Sequence, residues 1–564
     1  MRGRRTWGAL VALTLTVGGC SLIEGDDDAT SSPTSSSATS RPSSTPAQSS
    51  FELFDPPREG RDWVVLVEDP GDTDRVADEL EAGGLALTSV NTAVGMVTLR
   101  SEDDDVAERA KGVDGVTDAV TDRSASWTPE PPAEPDPGDT TPAADLPSPP
   151  DVPEGGDPLD GWLWGMEAVN ARGAHEVTPG RPEVRVGVMD TGIDASHPDL
   201  APVLDRGLSK SFVSDIPDID GECEHESCID PVGEDDGGHG THVAGTIAAA
   251  ANDLGVTGVA PGVTLVDLRA GQDAGLFFLG PTVNALTHAA DQRLDVVNMS
   301  FYVDPWLYAC EGGAPGDSPE QAAFQDVMLE LVHRSLDLTH EAGVTLVTSA
   351  GNDGADMGDP SRDSSSPNYG GDPRNRTIDP KTCERLPLAG EHVISVASVD
   401  EGNVRSTFSN WTSTPDDGLV DVAAPGGEET SGRGGILSAA SRSVVTAEGL
   451  VDAEGRVTET GADIVVRSCP ESISGNDPDP DGRCGLYVWN QGTSMASPHA
   501  SGVAALIISA HGDRMAPDDV AERLGESATE IPCPDDEGSV RCVGDDQRNG
   551  IFGEGVVNAD RAVR

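Results

Sequence analysis

Positive charge is what this chain has least of. Its 564 residues carry 36 Lys and Arg against 99 Asp and Glu, a formal net charge of −63. Phosphate recognition needs a basic surface, so nucleic acid is excluded as the main partner. The same charge repels anionic membrane surfaces. Long apolar runs are missing too. Beyond residues 1–20 no stretch is apolar and long enough to span a bilayer, so any membrane attachment is expected at the N-terminus. There is no Cys-x-x-Cys pair, which argues against a structural zinc site. The acidity reads as surface solvation and solubility, or adaptation to salt. Attraction of basic substrates is the sharper alternative, and no local feature of the sequence selects it.

Residues 1–20 read as a targeting segment. Arg2, Arg4 and Arg5 make a basic start, and Trp7 to Val17 is a short apolar run. Val17-Gly18-Gly19-Cys20 is similar to a bacterial lipobox, in which the cysteine is lipidated. The alternative is an ordinary signal peptide with Cys20 incidental. The small residues before Cys20 and the Ser/Thr/Pro-rich segment after it favour lipidation. Arg4-Arg5 is also compatible with twin-arginine export. Nine cysteines less Cys20 leave eight, an even number, which in an exported chain reads as disulfides. Close spacing suggests Cys223–Cys228, Cys469–Cys484 and Cys533–Cys542, leaving Cys310–Cys383, among many possible connectivities.

Residues 21–58 are rich in Ser, Thr, Pro and Asp and are expected to be a disordered tether. Pattern returns in 59–126. Trp63 to Val67 predicts a strand, Asp72 to Ala82 a helix stopped by Gly83-Gly84, and Leu85 to Leu99 two strands. A helix over Val106 to Gly112 and a strand over Val116 to Val120 complete a βαββαβ order, which is ferredoxin-like. Residues 127–158 are a Pro-rich acidic linker, exposed and open to proteolysis.

From 159 to 564 strand and helix patterns alternate. Val184 to Met189 is a continuous β-rich run, as in a strand buried on both faces. Further strands are predicted at 264–268, 295–299, 344–349, 393–399 and 419–423. Helices are predicted over 239–252, 281–292, 321–342, 494–510 and 517–524. Such alternation predicts an α/β fold, a parallel β-sheet covered by helices on both faces.

Four segments carry chemistry. A serine hydroxyl is a poor nucleophile without a base and an orienting acid nearby. Ser494 lies in Gly492-Thr493-Ser494-Met495-Ala496-Ser497-Pro498-His499 at the mouth of an apolar helix, where free backbone N–H groups favour a developing negative charge. His239 opens a second helix in His239-Gly240-Thr241-His242, behind Gly237 and Gly238, which permit a sharp turn. Asp190 closes a buried strand in Val188-Met189-Asp190-Thr191-Gly192, at the edge where open α/β sheets place their sites. Asn352 follows another strand in Ser349-Ala350-Gly351-Asn352.

These segments, in the order Asp190, His239, Ser494, resemble the active site of the subtilisin family of serine proteases. The resemblance implies that Ser494 is the nucleophile and that His239 is the general base and then general acid. Asp190 would orient the imidazole, and the Asn352 amide would donate to the oxyanion. It implies that Ser300, Phe301, Tyr302 and Ser349, Ala350, Gly351 pair with an extended peptide by strand addition. Many relatives have glycine where Tyr302 stands, so this side chain is expected to crowd one side of the cleft and narrow specificity. His242, Ser497 and His499 match structural positions.

Ala250 to Val256 keeps the length of the family's calcium loop. The implied ligands are the carbonyls of Ala250, Leu254 and Val256, the Asn252 side chain and the Asp199 carboxylate, a hard-oxygen set suited to calcium. The family's N-terminal ligand has no placed counterpart. Residues 59–126 resemble the family's propeptide, which assists folding and then inhibits the site, and maturation cleavage is expected in or near 127–158. Insertions near 213–236, 303–335, 357–388 and 427–487 lengthen the domain, and the disulfides are expected to pin them.

The expectation is an exported, lipid-anchored subtilisin-like serine endopeptidase, made as a proenzyme and acting as a monomer on protein or peptide substrates through an acyl-enzyme. Its own propeptide is the expected inhibitor. The alternatives are a maturation protease dedicated to one peptide partner, and an inactive relative that binds peptides.

Overall fold

The computed structural model describes residues 49–54, 60–122, 151–366, 375–428, 434–512, 514–534 and 540–564. The targeting segment with Cys20, most of the tether and most of the linker lie outside them. Among the described residues no helix is long and apolar enough to cross a membrane.

The core is a seven-stranded sheet in the order Val422–Pro425, Val393–Val399, Thr345–Ser349, Val296–Met299, Arg185–Met189, Thr264–Arg269, Lys210–Ser211. Every neighbouring pair is parallel. The period of two along each strand explains why helices cover both faces. Val186, Val188, Val296 and Val347 point to one side, where they meet the helices His239–Ala248 and Thr493–His511. Met189, Val297, Met299 and Leu346 point to the other and meet Leu279–Gln292 and Pro319–Glu341. The latter helix starts with a reciprocal cap: Ser318 Oγ accepts from the Gln321 amide, and the Gln321 side chain accepts from the Ser318 amide.

Strand order reverses between Arg185–Met189 and Val296–Met299. The chain leaves the first toward Thr264–Arg269 on one side and later adds strands on the other. A crevice therefore opens at the carboxyl ends of these two strands, which is where Asp190 and Ser300 stand.

Residues 49–54 and 60–122 contribute a second, antiparallel sheet in the order Phe51–Leu53, Ala86–Asn91, Met96–Ser101, Arg61–Val67, Val116–Thr121. Helices Thr73–Ala82 and Val106–Lys111 cover one face, around Val65, Val67, Val97 and Leu99. The opposite face, with Val64, Leu66, Met96 and Val120, merges with the core above the helices Leu279–Gln292 and Pro319–Glu341. The expected βαββαβ order is present, with one strand more. Residues 51–53, assigned from composition to the tether, pair with 89–91. Phe51 is buried against Phe212 and His288, and this burial holds a segment too short to show periodicity.

Polar contacts secure the same interface. Asp122 Oδ1 and Oδ2 accept from the Leu279 and Gly280 amides at 3.0 and 2.9 Å, at the N-terminus of Leu279–Gln292. Asn91 donates to Asn284 Oδ1 and Thr287 Oγ1, and Arg334 donates to the Val67 and Val94 carbonyls.

All four expected disulfides are present: Cys223–Cys228, Cys310–Cys383, Cys469–Cys484 and Cys533–Cys542. Two boundaries differ from expectation by three residues or more. The helix begun by His239 ends at Ala248, and the strand expected over 419–423 runs from Val422 to Pro425. After Ala248 the chain turns through Asp253 and Gly255, both at positive φ, so 249–256 is a loop rather than helix.

Candidate active site

Asp190 is the first residue beyond the strand Arg185–Met189 and its side chain is fully buried. Its Oδ1 accepts from the Thr191 amide at 2.8 Å and lies 2.8 Å from His239 Nδ1. That contact fixes the imidazole tautomer, with the proton on Nδ1 and Nε2 left able to accept one. The His239 side chain is 33% exposed, so it opens to the crevice. Burial disfavours its charged form. The Asp190 charge and hydrogen bond, with the more distant Asp235 charge, outweigh this and hold the imidazole above its usual range.

The helix carrying His239 is set by Asp235, a residue that sequence reasoning passed over. The buried Asp235 carboxylate accepts from the Gly238 amide at 2.7 Å, the Thr241 amide at 2.9 Å, and the Thr241 and Thr191 hydroxyls at 2.5 and 2.8 Å. It serves as the missing cap of that helix and ties it to the Asp190 turn. The available signal was an acidic residue just ahead of a helix start. It was hidden in the run Glu234-Asp235-Asp236.

Ser494 is the second residue of the helix Thr493–His511, and Gly492 precedes it at φ +150°. Its Oγ donates to the Ser300 carbonyl at 3.2 Å rather than to His239. In return Ser300 Oγ donates to the Ser494 carbonyl at 3.2 Å. Asn298 supports this pair. Its Nδ2 donates to Ser300 Oγ, and its Oδ1 accepts from Ser497 and Ser501. Ser497 is thus structural, as expected. So are His242 and His499. His242 contacts the Ile436 and Val488 carbonyls and His499 the Met495 carbonyl, and burial pushes their pKa values down to about 3 and about 4.

Asn352 is oriented by the serine helix. Its Oδ1 accepts from the Thr493 amide at 2.9 Å and the Thr493 hydroxyl at 2.8 Å. With the oxygen so engaged, the side-chain NH2 faces the other way, beside Gly492 and the Ser494 turn. Asp190, His239, Ser494 and Asn352 are therefore brought to one crevice from four elements.

The expected peptide-pairing residues flank it. Ser300 and Phe301 follow the strand Val296–Met299, and Phe301 stacks on Phe277 with centroids 4.0 Å apart. Ser349 ends the strand Thr345–Ser349. Asn410 then holds the next two residues, donating from Nδ2 to the Ala350 carbonyl and from its amide to the Gly351 carbonyl. Gly351 has φ +97°, and a Cβ there would meet Arg385 and Asn410 at 2.6 Å. Tyr302 packs on the insertion cluster of Leu307, Tyr308, Ile378 and the Cys310–Cys383 disulfide.

Asp199, Asn252 and the backbone of Ala250, Leu254 and Val256 also converge. Asp199 Oδ2 accepts from the Tyr487 hydroxyl at 2.7 Å, and Oδ1 lies 3.2 Å from the Asn252 amide nitrogen. Two further buried carboxylates join: Asp157, from the end of the expected linker, and Asp160, just beyond it. Asp157 accepts from the Asp253 and Asn252 amides and the Thr257 hydroxyl. Burial, reinforced by the Asp157 charge, pushes Asp199 up to about 7. Against these carboxylates the recorded cation is Arg172, 3.5 Å from Asp160. A hard divalent cation fits this all-oxygen, charge-rich set.

The profile of the subtilase family matches residues 181–555. A thermostable alkaline protease of Halalkalibacterium halodurans is 27% identical over 401 residues, 71% of this chain and 73% of that protein. Subtilisin DY of Bacillus licheniformis is 27% identical over 381 residues, 68% of this chain and 91% of its own. Among solved structures, the epidermin leader peptide processing serine protease of Staphylococcus aureus superposes with a TM-score of 0.59 at 17% identity, covering 90% of this chain and 98% of that one. Fervidolysin of Fervidobacterium pennivorans gives 0.52 at 21% identity over 92% and 63%. These two structures share the fold.

Proposed function

The chain belongs to the subtilase family and is a serine-type endopeptidase, and from that premise we propose that Asp190, His239, Ser494 and Asn352 are its catalytic residues. The observation that carries this reading is the 2.8 Å Asp190–His239 contact in the crevice that also receives Ser494 and the turned amide of Asn352. His239 Nε2 takes the Ser494 proton as Oγ bonds to the scissile carbonyl carbon. The carbonyl oxygen becomes an oxyanion between the Asn352 amide and the free N–H of Ser494. Collapse expels the amine, which takes the proton from His239. Water then repeats the sequence on the acyl-enzyme and releases the acid. Substrate approach draws Ser494 Oγ from the Ser300 carbonyl toward His239, as catalytic contacts tighten in the bound complex.

The test is labelling with a fluorophosphonate probe, with Ser494→Ala as control. Labelling that vanishes in the variant supports the assignment. A processed protein that neither labels nor cleaves casein would instead be a peptide-binding relative.

Residues 60–122 act as a propeptide in this reading. Their sheet covers the helices Leu279–Gln292 and Pro319–Glu341, and maturation cleavage falls in or near 127–158. The loop around Asp199 holds calcium through Asp199, Asn252 and the carbonyls of Ala250, Leu254 and Val256, with Asp157 alongside. Export and lipid attachment at Cys20 rest on the targeting segment, and loss of membrane-fraction protein in Cys20→Ala tests them. A dedicated processing protease is favoured as a second reading by Tyr302, which joins the insertions into a wall beside Ser300.

A further inference from the structure

The loop that carries Asn352 leaves the strand Thr345–Ser349 and turns through Gly351 and Gly354, at φ +97° and +59°. Side chains from elsewhere in the chain shape it. Asn410 Oδ1 accepts from the Asp353 and Ala355 amides at 3.1 and 2.9 Å. The head of Asn352 is fixed by Thr493, and the chain beyond it is fixed at the next residue, Asp353. Asp353 Oδ2 accepts from both terminal nitrogens of Arg385 at 2.9 Å and from Asn410 Nδ2 at 3.1 Å.

Arg385 lies in no motif of the sequence. It comes from the insertion 357–388, two residues past Cys383. The short strand Cys383–Glu384 pairs with Ala309–Cys310, and the Cys310–Cys383 bridge joins the two. Arg385 is 7% exposed, and its guanidinium lies 5.3 Å from the centre of the Tyr308 ring. A charge at that depth is costly unless it is paired and hydrogen-bonded. Its recorded ion-pair partner is Asp353, whose side chain is 41% exposed. Burial disfavours the Asp353 charge. The Arg385 charge and the hydrogen bonds from Asn410 and Arg385 outweigh this and hold the carboxylate below its usual range. A disulfide-anchored insertion thus grips the residue next to Asn352.

We propose that Arg385 is a positioning residue for Asn352: through Asp353 it fixes the loop from which the Asn352 amide reaches the oxyanion. The inference rests on the reading of Asn352 as the oxyanion donor. Such a donor has its full effect only when it is held where the charge develops. A shift of about 1 Å in a catalytic geometry can cost on the order of 10²-fold.

The experiment is steady-state kinetics on a peptide substrate, with active sites counted by fluorophosphonate labelling. The proteins are wild type, Asn352→Leu, Arg385→Met and the double variant, each expressed as the full chain. Arg385→Met keeps an apolar stem and removes the charge. The expected result is a roughly tenfold loss of kcat in Arg385→Met, with KM within about twofold of wild type. In the Asn352→Leu background the same substitution should change kcat by less than about twofold, because the donor it positions is already gone. Arg385→Lys should recover only part of the loss, since a single ammonium replaces a planar fork. Asp353→Asn cuts the pair from its exposed end and does not depend on refilling a buried site. It should give the same kcat loss, likewise absent beside Asn352→Leu. An equal factor in both backgrounds overturns the proposal and makes Arg385 a general support of the fold. So does a change confined to KM, or wild-type kcat in both Arg385→Met and Asp353→Asn. Full kcat in Asn352→Leu is a separate failure, which removes the reading of Asn352 itself and this inference with it.

Discussion

Ser300 and Ser494 hold each other across the crevice. Each hydroxyl donates to the other's carbonyl at 3.2 Å. Half of this exchange follows from Pro498, which lies inside the helix Thr493–His511. Proline has no N–H to give to the carbonyl four residues back, and that carbonyl belongs to Ser494. The helix leaves it open, and Ser300 takes it.

Ser300→Ala should therefore destabilise the protein by about 1–3 kcal/mol, the cost of an acceptor left unmade. Activity should fall far less than the ~10⁶ expected of Ser494→Ala, a magnitude taken from subtilisin. Adding Pro498→Ala should recover part of the stability, because the restored N–H replaces the lost hydroxyl. Calorimetry on the single and double variants checks this, and an equal loss in both would sink it.

Asn352→Leu keeps the volume and removes the donor. The expected loss is about 10²–10³ in kcat with KM little changed, the effect known for the equivalent donor in subtilisin. Steady-state kinetics with a peptide substrate decide. A change confined to KM would assign Asn352 to ground-state binding.

Activity requires neutral His239 Nε2, and its pKa is held above the ordinary 6.5. The rate should accordingly rise with pH through a midpoint above 6.5. The stability linked to His239 has the opposite slope. It is fully present below 6.5 and is lost as pH rises through the folded-state value. Asp190→Asn removes the charge that raises the pKa, so the residual activity of that variant should have a lower midpoint. A pH–rate profile with the midpoint unmoved would contradict this.

The Cys310–Cys383 bridge closes 73 residues. Replacing both cysteines by serine should cost about 4 kcal/mol on the chain-entropy estimate for such a loop. Tyr302 packs on this bridge, so cleavage preference should broaden in the same variant. Peptide-library profiling measures it, and a profile identical to wild type would separate Tyr302 from specificity.

Asp190, His239, Ser494 and Asn352, the residues of the proposed site, could be singled out in the sequence because each sits in a segment of small residues whose composition is dictated by close backbone approach. The sheet was legible because its strands are buried on both faces and read as unbroken apolar runs. Tyr302 was not legible in its role. Its neighbours Leu307 and Tyr308 come from one insertion and Ile378 from another, and a short strand pair, Arg376 and the disulfide bring them together. Phe51–Leu53 was concealed by the Ser/Pro-rich stretch around it, since three residues show no period. Asp157 likewise lay at the end of a linker whose composition argued for exposure, yet three hydrogen bonds bury it.

The helix Thr493–His511 is almost wholly buried and lies against the strands Val296–Met299, Thr345–Ser349, Val393–Val399 and Val422–Pro425. All four of those strands are synthesised before it. Until it emerges, one face of the growing sheet lacks its main apolar cover, and the chain must wait with that surface open. Parallel pairings between distant segments are intrinsically slow to form and prone to aggregate while incomplete. The same delay has a protective side. On the proposed assignment the nucleophile is carried by the element that closes the core, so a nascent chain would acquire the power to cut only when it is itself nearly too compact to be cut.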